Sequence, residues 1–293
     1  MKYKEAISQS IVQAMENDPK VVLLGQMVTD PKGVFGTTLE AHKRFPDRVI
    51  ETPVSETMIT GACVGLSMEG WKPILVHARA DFSLLSFEHL INTASKMKFL
   101  HKKPLPFVMR VLVGRGWGQG PVHSQSFHNM LSQVPGLTVR IPFGNANYGD
   151  ILVEGLANGP LVVVEPRRLY EESLLWPESF PNEDISIYCI GDTAIDALEA
   201  RLQLFKYGVK VNVIPKDSVP IIPHSTPYVI LDMAPNLNAI SPPFVPQGCS
   251  QAYEKAWYPT ANDIVKAVLD KLGVKIPKLK ETNEQFAPVG SSF

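Results

Sequence analysis

Cysteine is scarce in this chain: 293 residues hold only Cys63, Cys189 and Cys249, odd in number and far apart. That spacing suggests neither a disulfide framework nor a zinc site, and it suits a reducing compartment, so a cytoplasmic protein is expected. Excess charge of either sign is also missing, with 28 Lys and Arg against 29 Asp and Glu for a net charge of -1. A dedicated nucleic-acid binder would carry a basic stripe, and no polycationic run occurs. Long apolar runs are absent as well. No segment approaches the roughly 20 residues needed to cross a bilayer, so no membrane attachment is expected. The opening Met1-Lys2-Tyr3-Lys4-Glu5-Ala6-Ile7 is charged and lacks the apolar core of a secretory signal.

What is present is a soluble, globular composition, 45% hydrophobic and 19% charged, long enough for two domains that each bury a core. Apolar residues at Ala6, Ile7, Ile11, Val12 and Met15 predict an amphipathic helix over 3–17, stopped by Asp18-Pro19. Val21 to Leu24 then reads as a fully buried strand ending at Gly25, as in a parallel sheet. The alternation continues. Thr37 to Phe45 predicts a helix, Val49-Ile50 a short strand, Pro73 to Val76 a strand, Leu84 to Phe99 a helix and Pro106 to Val113 a strand. Leu137 to Pro142 follows as a strand, Ala146 to Ala157 as a helix and Leu161 to Glu165 as the last strand of a first domain. Such a pattern means an α/β, doubly wound parallel sheet with ligands at the carboxyl ends of its strands.

Leu174 to Glu183 reads as a linker. Beyond it, strands at Ile185 to Ile190, Val209 to Ile214 and Tyr228 to Leu231 alternate with helices at Thr193 to Phe205 and Ala261 to Leu272, which describes a smaller second α/β domain. The expected domains are 1–175 and 184–293. The tail after Pro277 is polar and without periodicity. The glycine-rich loop Gly114 to Gly120 lacks the lysine of a nucleotide-binding loop and the dinucleotide spacing, so a mobile loop over a pocket is expected instead.

One stretch organises the rest. In Glu51-Thr52-Pro53-Val54-Ser55-Glu56, an extended proline and a serine able to cap lead into a helix whose small-residue run contains Gly61 and Gly65. Glu56 then sits in the first helical turn, where a carboxylate is also explained by the helix dipole alone. Arg79-Ala80-Asp81-Phe82 ends a later apolar run, and His123-Ser124-Gln125-Ser126 follows the glycine-rich loop. Taken singly, each piece is weak.

As an ordered set, these stretches resemble one family. From Leu24-Gly25 through Thr52-Pro53-Val54-Ser55-Glu56, Ala80-Asp81-Phe82, His123-Ser124-Gln125-Ser126 and Pro135-Gly136-Leu137 to Glu165-Pro166-Arg167-Arg168-Leu169-Tyr170, the chain is similar to the beta subunits of thiamine-diphosphate-dependent 2-oxo-acid dehydrogenases, with split transketolases close by. The resemblance implies a transketolase-like fold: a pyrimidine-binding domain followed by a smaller C-terminal domain. It places Glu56 where the family has the acid that hydrogen-bonds the aminopyrimidine and favours its imino form. Such an acid must hold a proton near neutral pH, so burial, with Val54, Met58 and Ile59 as apolar neighbours, must outweigh the dipole.

Phe82 stands where the family places an aromatic ring against the aminopyrimidine, a contact worth about 0.5–1.5 kcal/mol beyond its area. Read alone, it is equally a core phenylalanine. His123 corresponds to the substrate-facing histidine, an acid, base or carboxylate anchor, against the alternative of a histidine satisfied by its own loop. His77 and Arg79 lie close enough in sequence to Phe82 to reach a substrate. Arg110 has two readings, a substrate carboxylate's partner or a plain ion pair. Gln26 stands where many relatives have an acidic residue near the cofactor. His101, His128 and His224 have no such context.

In the family, a Gly-Asp-Gly segment followed by asparagines holds the diphosphate through a divalent metal. Gly191-Asp192-Thr193 comes nearest and lacks the third glycine and the asparagine partner. The resemblance therefore implies an alpha-type partner holding the diphosphate and Mg2+, with the cofactor shared in a heterotetramer of two alpha and two beta chains. A second domain shortened between Ile214 and Tyr228 argues for a stand-alone split enzyme rather than a large complex. Three functions stand side by side: decarboxylation of a 2-oxo acid with transfer of the acyl or aldehyde unit, transketolase-like transfer of a two-carbon ketol unit, and a non-catalytic pairing scaffold. Basic residues for a sugar phosphate, with Arg79, Arg115 and Arg167 as candidates, would separate the first two.

Overall fold

The computed structural model describes residues 1–143, 147–173, 176–219, 221, 223, 227–236, 238–243 and 250–274. The first part of the chain alternates as the apolar pattern requires. Helix α1 (Tyr3–Asn17) leads into β1 (Val21–Gly25), followed by the short turns α2 (Gly33–Gly36) and α3 (Leu39–Arg44), β2 (Val49–Glu51), α4 (Glu56–Met68) and β3 (Lys72–His77). After α5 (Ser95–His101) come β4 (Val108–Val113), α6 (His128–Leu131), β5 (Thr138–Arg140), α7 (Tyr148–Asn158) and β6 (Leu161–Pro166). All six strands are parallel, in the order β2-β1-β3-β4-β6-β5.

The sheet is covered on both faces, which is why its strands read as unbroken apolar runs. Val21, Leu23, Ile74, Val108, Leu161 and Val163 pack with α1 and α7 on one side. Val22, Leu24, Leu75, Met109, Val162 and Val164 pack with Ile59 and Cys63 of α4 on the other. Strand order reverses between β1 and β3, so the crevice outside their carboxyl ends is the place where this architecture binds ligands.

Four expectations need correction. The stretch Leu84 to Phe99 is not one α-helix: a 3-10 segment (Ala80–Ser86) and a π segment (Glu88–Ala94) precede α5. A wider helical turn of that kind often accompanies a functional site. Ser55 occupies the N-cap of α4 yet makes no side-chain cap bond. The helix Thr37 to Phe45 is reduced to Leu39–Arg44. Finally, α9 (Gln251–Trp257) was not anticipated.

The second part builds a three-stranded parallel sheet, β8-β7-β9, from β7 (Ile185–Ile190), β8 (Val211–Lys216) and β9 (Tyr228–Leu231). Helices α8 (Thr193–Phe205) and α10 (Ala261–Leu272) pack on it through Ala197, Ala200, Leu204, Ile264, Val265 and Val268. Thr260 caps α10 in a reciprocal box with Asp263, and its predicted limits match the observed ones. His224, Cys249 and the tail after Pro277 lie outside the described residues. No helix among the described residues is long and apolar enough to cross a membrane.

Candidate active site

The crevice at the switch point collects residues from four strand ends. Glu51, closing β2, accepts from the backbone N–H groups of Met27 and Thr29 at 2.5 and 2.9 Å, which shapes the loop after β1. That loop presents Gln26, whose amide nitrogen donates to Glu56 Oε1 at 3.1 Å. Glu56 opens α4 and is 5% exposed, so the carboxylate is largely withdrawn from water.

A buried chain of hydrogen bonds fixes the first turn of α4. Thr60 Oγ1 donates to the Glu56 carbonyl at 2.7 Å and meets Ser86 Oγ at 2.7 Å, and Ser86 Oγ in turn bonds His77 Nε2 at 3.1 Å. Thr57 Oγ1 adds a bond to the Leu85 carbonyl at 2.8 Å. His77 ends β3 and is 4% exposed. Burial pushes its pKa down to about 4, against the opposing pull of the nearby Glu56 charge. Through Ser86 and Thr60 this buried imidazole braces the first turn of α4.

Phe82 and His123 do come together. Their rings meet edge to face, 5.8 Å apart and 83° between planes, although 41 positions separate them. Asp81 beside Phe82 is buried, accepts from the Gln125 amide at 2.8 Å, and has a second carboxylate oxygen without a partner. Burial pushes its pKa up, with the Gln125 bond and the His123 charge acting the other way. Asp81 and Gln125 were not singled out from the sequence, though both lie inside the motifs that were. The apolar cover expected for Glu56 is only partly supplied by this chain: Ile59 is buried, while Val54 is 80% and Met58 56% exposed.

Arg110 is not a substrate residue. It is 0% exposed, on the α1/α7 side of the sheet, where its guanidinium grips Glu165 through Nε at 2.7 Å and Nη2 at 3.0 Å and also reaches Thr37. Tyr148 and Tyr170 donate to the same carboxylate at 2.5 and 2.6 Å. Burial opposes the arginine's charge, but Glu165 and the tyrosines hold its pKa above the ordinary arginine value. Of its two readings, the plain ion pair is correct. Arg115 is likewise engaged, donating to Asp196 at 2.9 Å with Asp192 at 3.5 Å.

Two contacts between the sheets escaped the sequence entirely. His128 is fully buried, its Nδ1 bonded to Ser126 at 2.7 Å and its Nε2 to Asp232 at 2.9 Å. The residues that form this pin are 104 positions apart, so no local signal points to it. The glycine-rich loop is also not free: the N–H groups of Gly116 and Gly118 both donate to the carboxylate of Glu254 on α9. Among the described residues no group of three His, Cys, Asp or Glu side chains is placed to hold a metal ion.

With the geometry in place, known proteins give the comparison. Residues 1–173 match the family model for the transketolase pyrimidine-binding domain. The chain is 29% identical over 236 residues to the beta subunit of acetoin:2,6-dichlorophenolindophenol oxidoreductase from Cupriavidus necator, covering 72% of this chain and 70% of that one. Against the human mitochondrial pyruvate dehydrogenase E1 beta subunit it is 30% identical over 232 residues, covering 72% of this chain and 64% of the relative. The match to a rice mitochondrial E1 subunit beta-2 spans 48% of that relative, so these matches leave part of each relative uncovered. A solved split gene transketolase, described as an inactive beta4 tetramer, superposes with a TM-score of 0.71 at 18% identity over 94% of this chain and 99% of that one. A transketolase from Pichia stipitis gives 0.73 at 13% identity over 93% of this chain and 46% of its own. Those two show a shared fold. Taken with the six-stranded parallel sheet and its crevice, the match over more than half the chain means that this protein belongs to the transketolase pyrimidine-binding family, alongside the beta subunits of the 2-oxo-acid dehydrogenases.

Proposed function

We propose that the chain is the beta-type subunit of a heteromeric enzyme that decarboxylates a 2-oxo acid and passes on the resulting acyl or aldehyde unit. Residues 1–175 would carry the pyrimidine side of thiamine diphosphate and residues 184–293 the smaller domain, in a cytoplasmic assembly of two alpha and two beta chains. The observation that carries this reading is the placement of Glu56: a largely buried carboxyl at the head of α4, beside the switch point, braced by Gln26 and by the Thr60–Ser86–His77 chain. A carboxyl so held suits a ring nitrogen of the aminopyrimidine, and the paired rings of Phe82 and His123 suit a flat heterocycle with a reacting group beside it. When bound, thiamine diphosphate supplies the electron sink that decarboxylation of a 2-oxo acid requires. Glu56 holds and exchanges the proton at the pyrimidine. His123 moves a proton or anchors a carboxylate at the substrate.

The diphosphate and Mg2+ are assigned to an alpha-type partner. In this chain Asp192, from the segment nearest to a diphosphate motif, faces Arg115 instead. Val54 and Met58, close in sequence to Glu56, and Leu84 and Leu85, just after Phe82, are exposed apolar side chains, as expected where a partner closes a shared site. Calorimetry with thiamine diphosphate and magnesium tests this for the chain alone and for the chain with its partner. Tight binding only with the partner is the expected result, and Glu56→Gln then abolishes turnover with folding intact. Absence of binding in both preparations would overturn the enzyme reading in favour of a scaffold.

A further inference from the structure

Between Glu88 and Asp150 the chain contains no aspartate or glutamate, although its net charge is only -1. Helix α5 and the link that follows it fall inside that interval and supply Lys96, Lys98, Lys102 and Lys103. Among these cations two large apolar side chains stand in open solvent: Phe99 is 74% and Leu100 62% exposed. Among the described residues none of the four lysines has a carboxylate partner, whereas Lys2, Lys4 and Lys72 each have one. Lys102 instead lays its ammonium over the Phe99 ring, 5.1 Å from the ring centre.

The backbone holds this arrangement in place. Lys102 caps α5 with a φ of 57°, a left-handed conformation at a position where helices ordinarily use glycine. Its N–H donates to the Lys98 carbonyl at 3.1 Å. A glycine there would relieve the strain and remove the ammonium from the ring. Behind the exposed pair, Ala94 and Leu105 pack with Val64 of α4, and Ser95 Oγ donates to the Ile91 carbonyl at 2.8 Å, so the patch has a firm base. The Leu105 N–H donates to the Gly159 carbonyl at 3.2 Å, just ahead of β4 and β6. That contact places the patch at the amino edge of the first sheet, opposite the crevice that holds Glu56. It is therefore separate from the exposed side chains assigned above to an alpha-type partner.

An exposed aromatic ring beside a leucine, with charges around them, has the anatomy of a protein-docking surface: an apolar centre inside a polar rim. Unpaired cations in that rim select a partner of opposite sign. A bilayer is the less suitable occupant, because helices that lie on membranes present a long apolar face and α5 has seven residues.

We propose that α5 and the adjoining Lys102 and Lys103 form a docking surface for an acidic segment of a partner protein. Carboxylates of that segment meet Lys98, Lys102 and Lys103, and an apolar side chain between them seats on Phe99 and Leu100.

The test is fluorescence anisotropy with the full chain and a fluorescein-labelled synthetic peptide in which glutamates flank a Leu-Phe-Leu centre, beside a glutamate-only peptide of equal charge. A saturable rise with the first peptide is expected. It should weaken about tenfold or more in Phe99→Ser and in the combined Lys98→Glu, Lys102→Glu and Lys103→Glu variant, and weaken with added sodium chloride. Lys102→Gly, which keeps the cap and loses the ammonium, should fall between. All four side chains are exposed, so these variants keep the fold, which circular dichroism verifies. No saturable rise, a rise unaltered in both the serine and the glutamate variants, or equal binding of the glutamate-only peptide overturns the proposal. Vesicles of phosphatidylserine and phosphatidylcholine form a second arm: a chain that sediments with them and ignores the peptide has a lipid surface as its partner, and the proposal fails.

Discussion

Arg110 and Glu56 are both charged side chains that the first sheet withdraws from water, on opposite faces, and they are treated in opposite ways. Around Arg110 the polar partners close on one another: Glu165 receives two guanidinium bonds and two tyrosine hydroxyls. Around Glu56 the one side-chain donor among the described residues is Gln26, and His77 is turned toward Ser86. The Arg110 cluster satisfies its carboxylate internally and is shut off from water, with only Arg110 Nη1 left unpartnered, so it contributes to folding and is closed to a ligand. An open one keeps its hydrogen-bonding capacity for whatever enters the crevice, which is how a fold-supporting charge is told from a working one.

The largest expected effect follows from that contrast. Arg110→Met leaves Glu165 ionised in the core without its cation, a change that costs about 3–5 kcal/mol, whereas Glu56→Gln should change stability by about 1 kcal/mol or less. Urea unfolding of the two variants measures both. If Arg110→Met costs less than the Glu56 variant, the division between a closed and an open cluster is wrong.

His77 sharpens the same contrast through pH. Its folded pKa of about 4 lies below the ordinary histidine value of 6.5, so the fold favours the neutral ring while the unfolded chain takes up a proton. Its contribution is complete above about pH 6.5 and is lost as pH falls toward 4, amounting to about 3 kcal/mol at 1.36 kcal/mol per pH unit. Asp232 has its folded pKa lowered to about 2, His128 and Asn236 overcoming its burial, and adds losses only below about pH 4. His77→Asn should therefore flatten the dependence of unfolding free energy between pH 7 and 5. An equal slope in wild type and variant would place the acid sensitivity elsewhere.

The parallel sheets were legible because burial on both faces leaves an unmistakable mark: Val21 to Leu24, Ile185 to Ile190 and Leu161 to Val164 are near-continuous apolar runs. Glu56, Phe82 and His123 were legible only as an ordered set, since each alone has an ordinary structural explanation. Arg110 kept two readings because a buried arginine and a substrate arginine look identical until the partner 55 residues away is known. The stacking of Arg79 and Arg167 on Trp117 and the His128–Asp232 pin depend on which strand ends lie side by side, and strand order is absent from any local pattern. The stretch Leu84 to Phe99 was read as one α-helix because 3-10 and π turns carry the same apolar spacing within a residue or so.

The smallest predicted effect concerns the loop after β4. Its four glycines suggest mobility, yet in the structure the Gly116 and Gly118 amides are held by Glu254, which is 1% exposed. A side chain at Gly118 would also place its Cβ 2.6 Å from the Gln251 nitrogen, so the loop and α9 fit closely. Glu254→Ala removes two charge-assisted acceptors, worth about 1–3 kcal/mol of local opening. Amides in residues 114–120 should then exchange about ten to a hundred times faster, while those of β4 keep their protection. Unchanged exchange in the loop would mean that the packing of α9, rather than the carboxylate, holds the loop in place; Arg115 on Tyr258, 4.2 Å from the ring centre, would be its next anchor to remove.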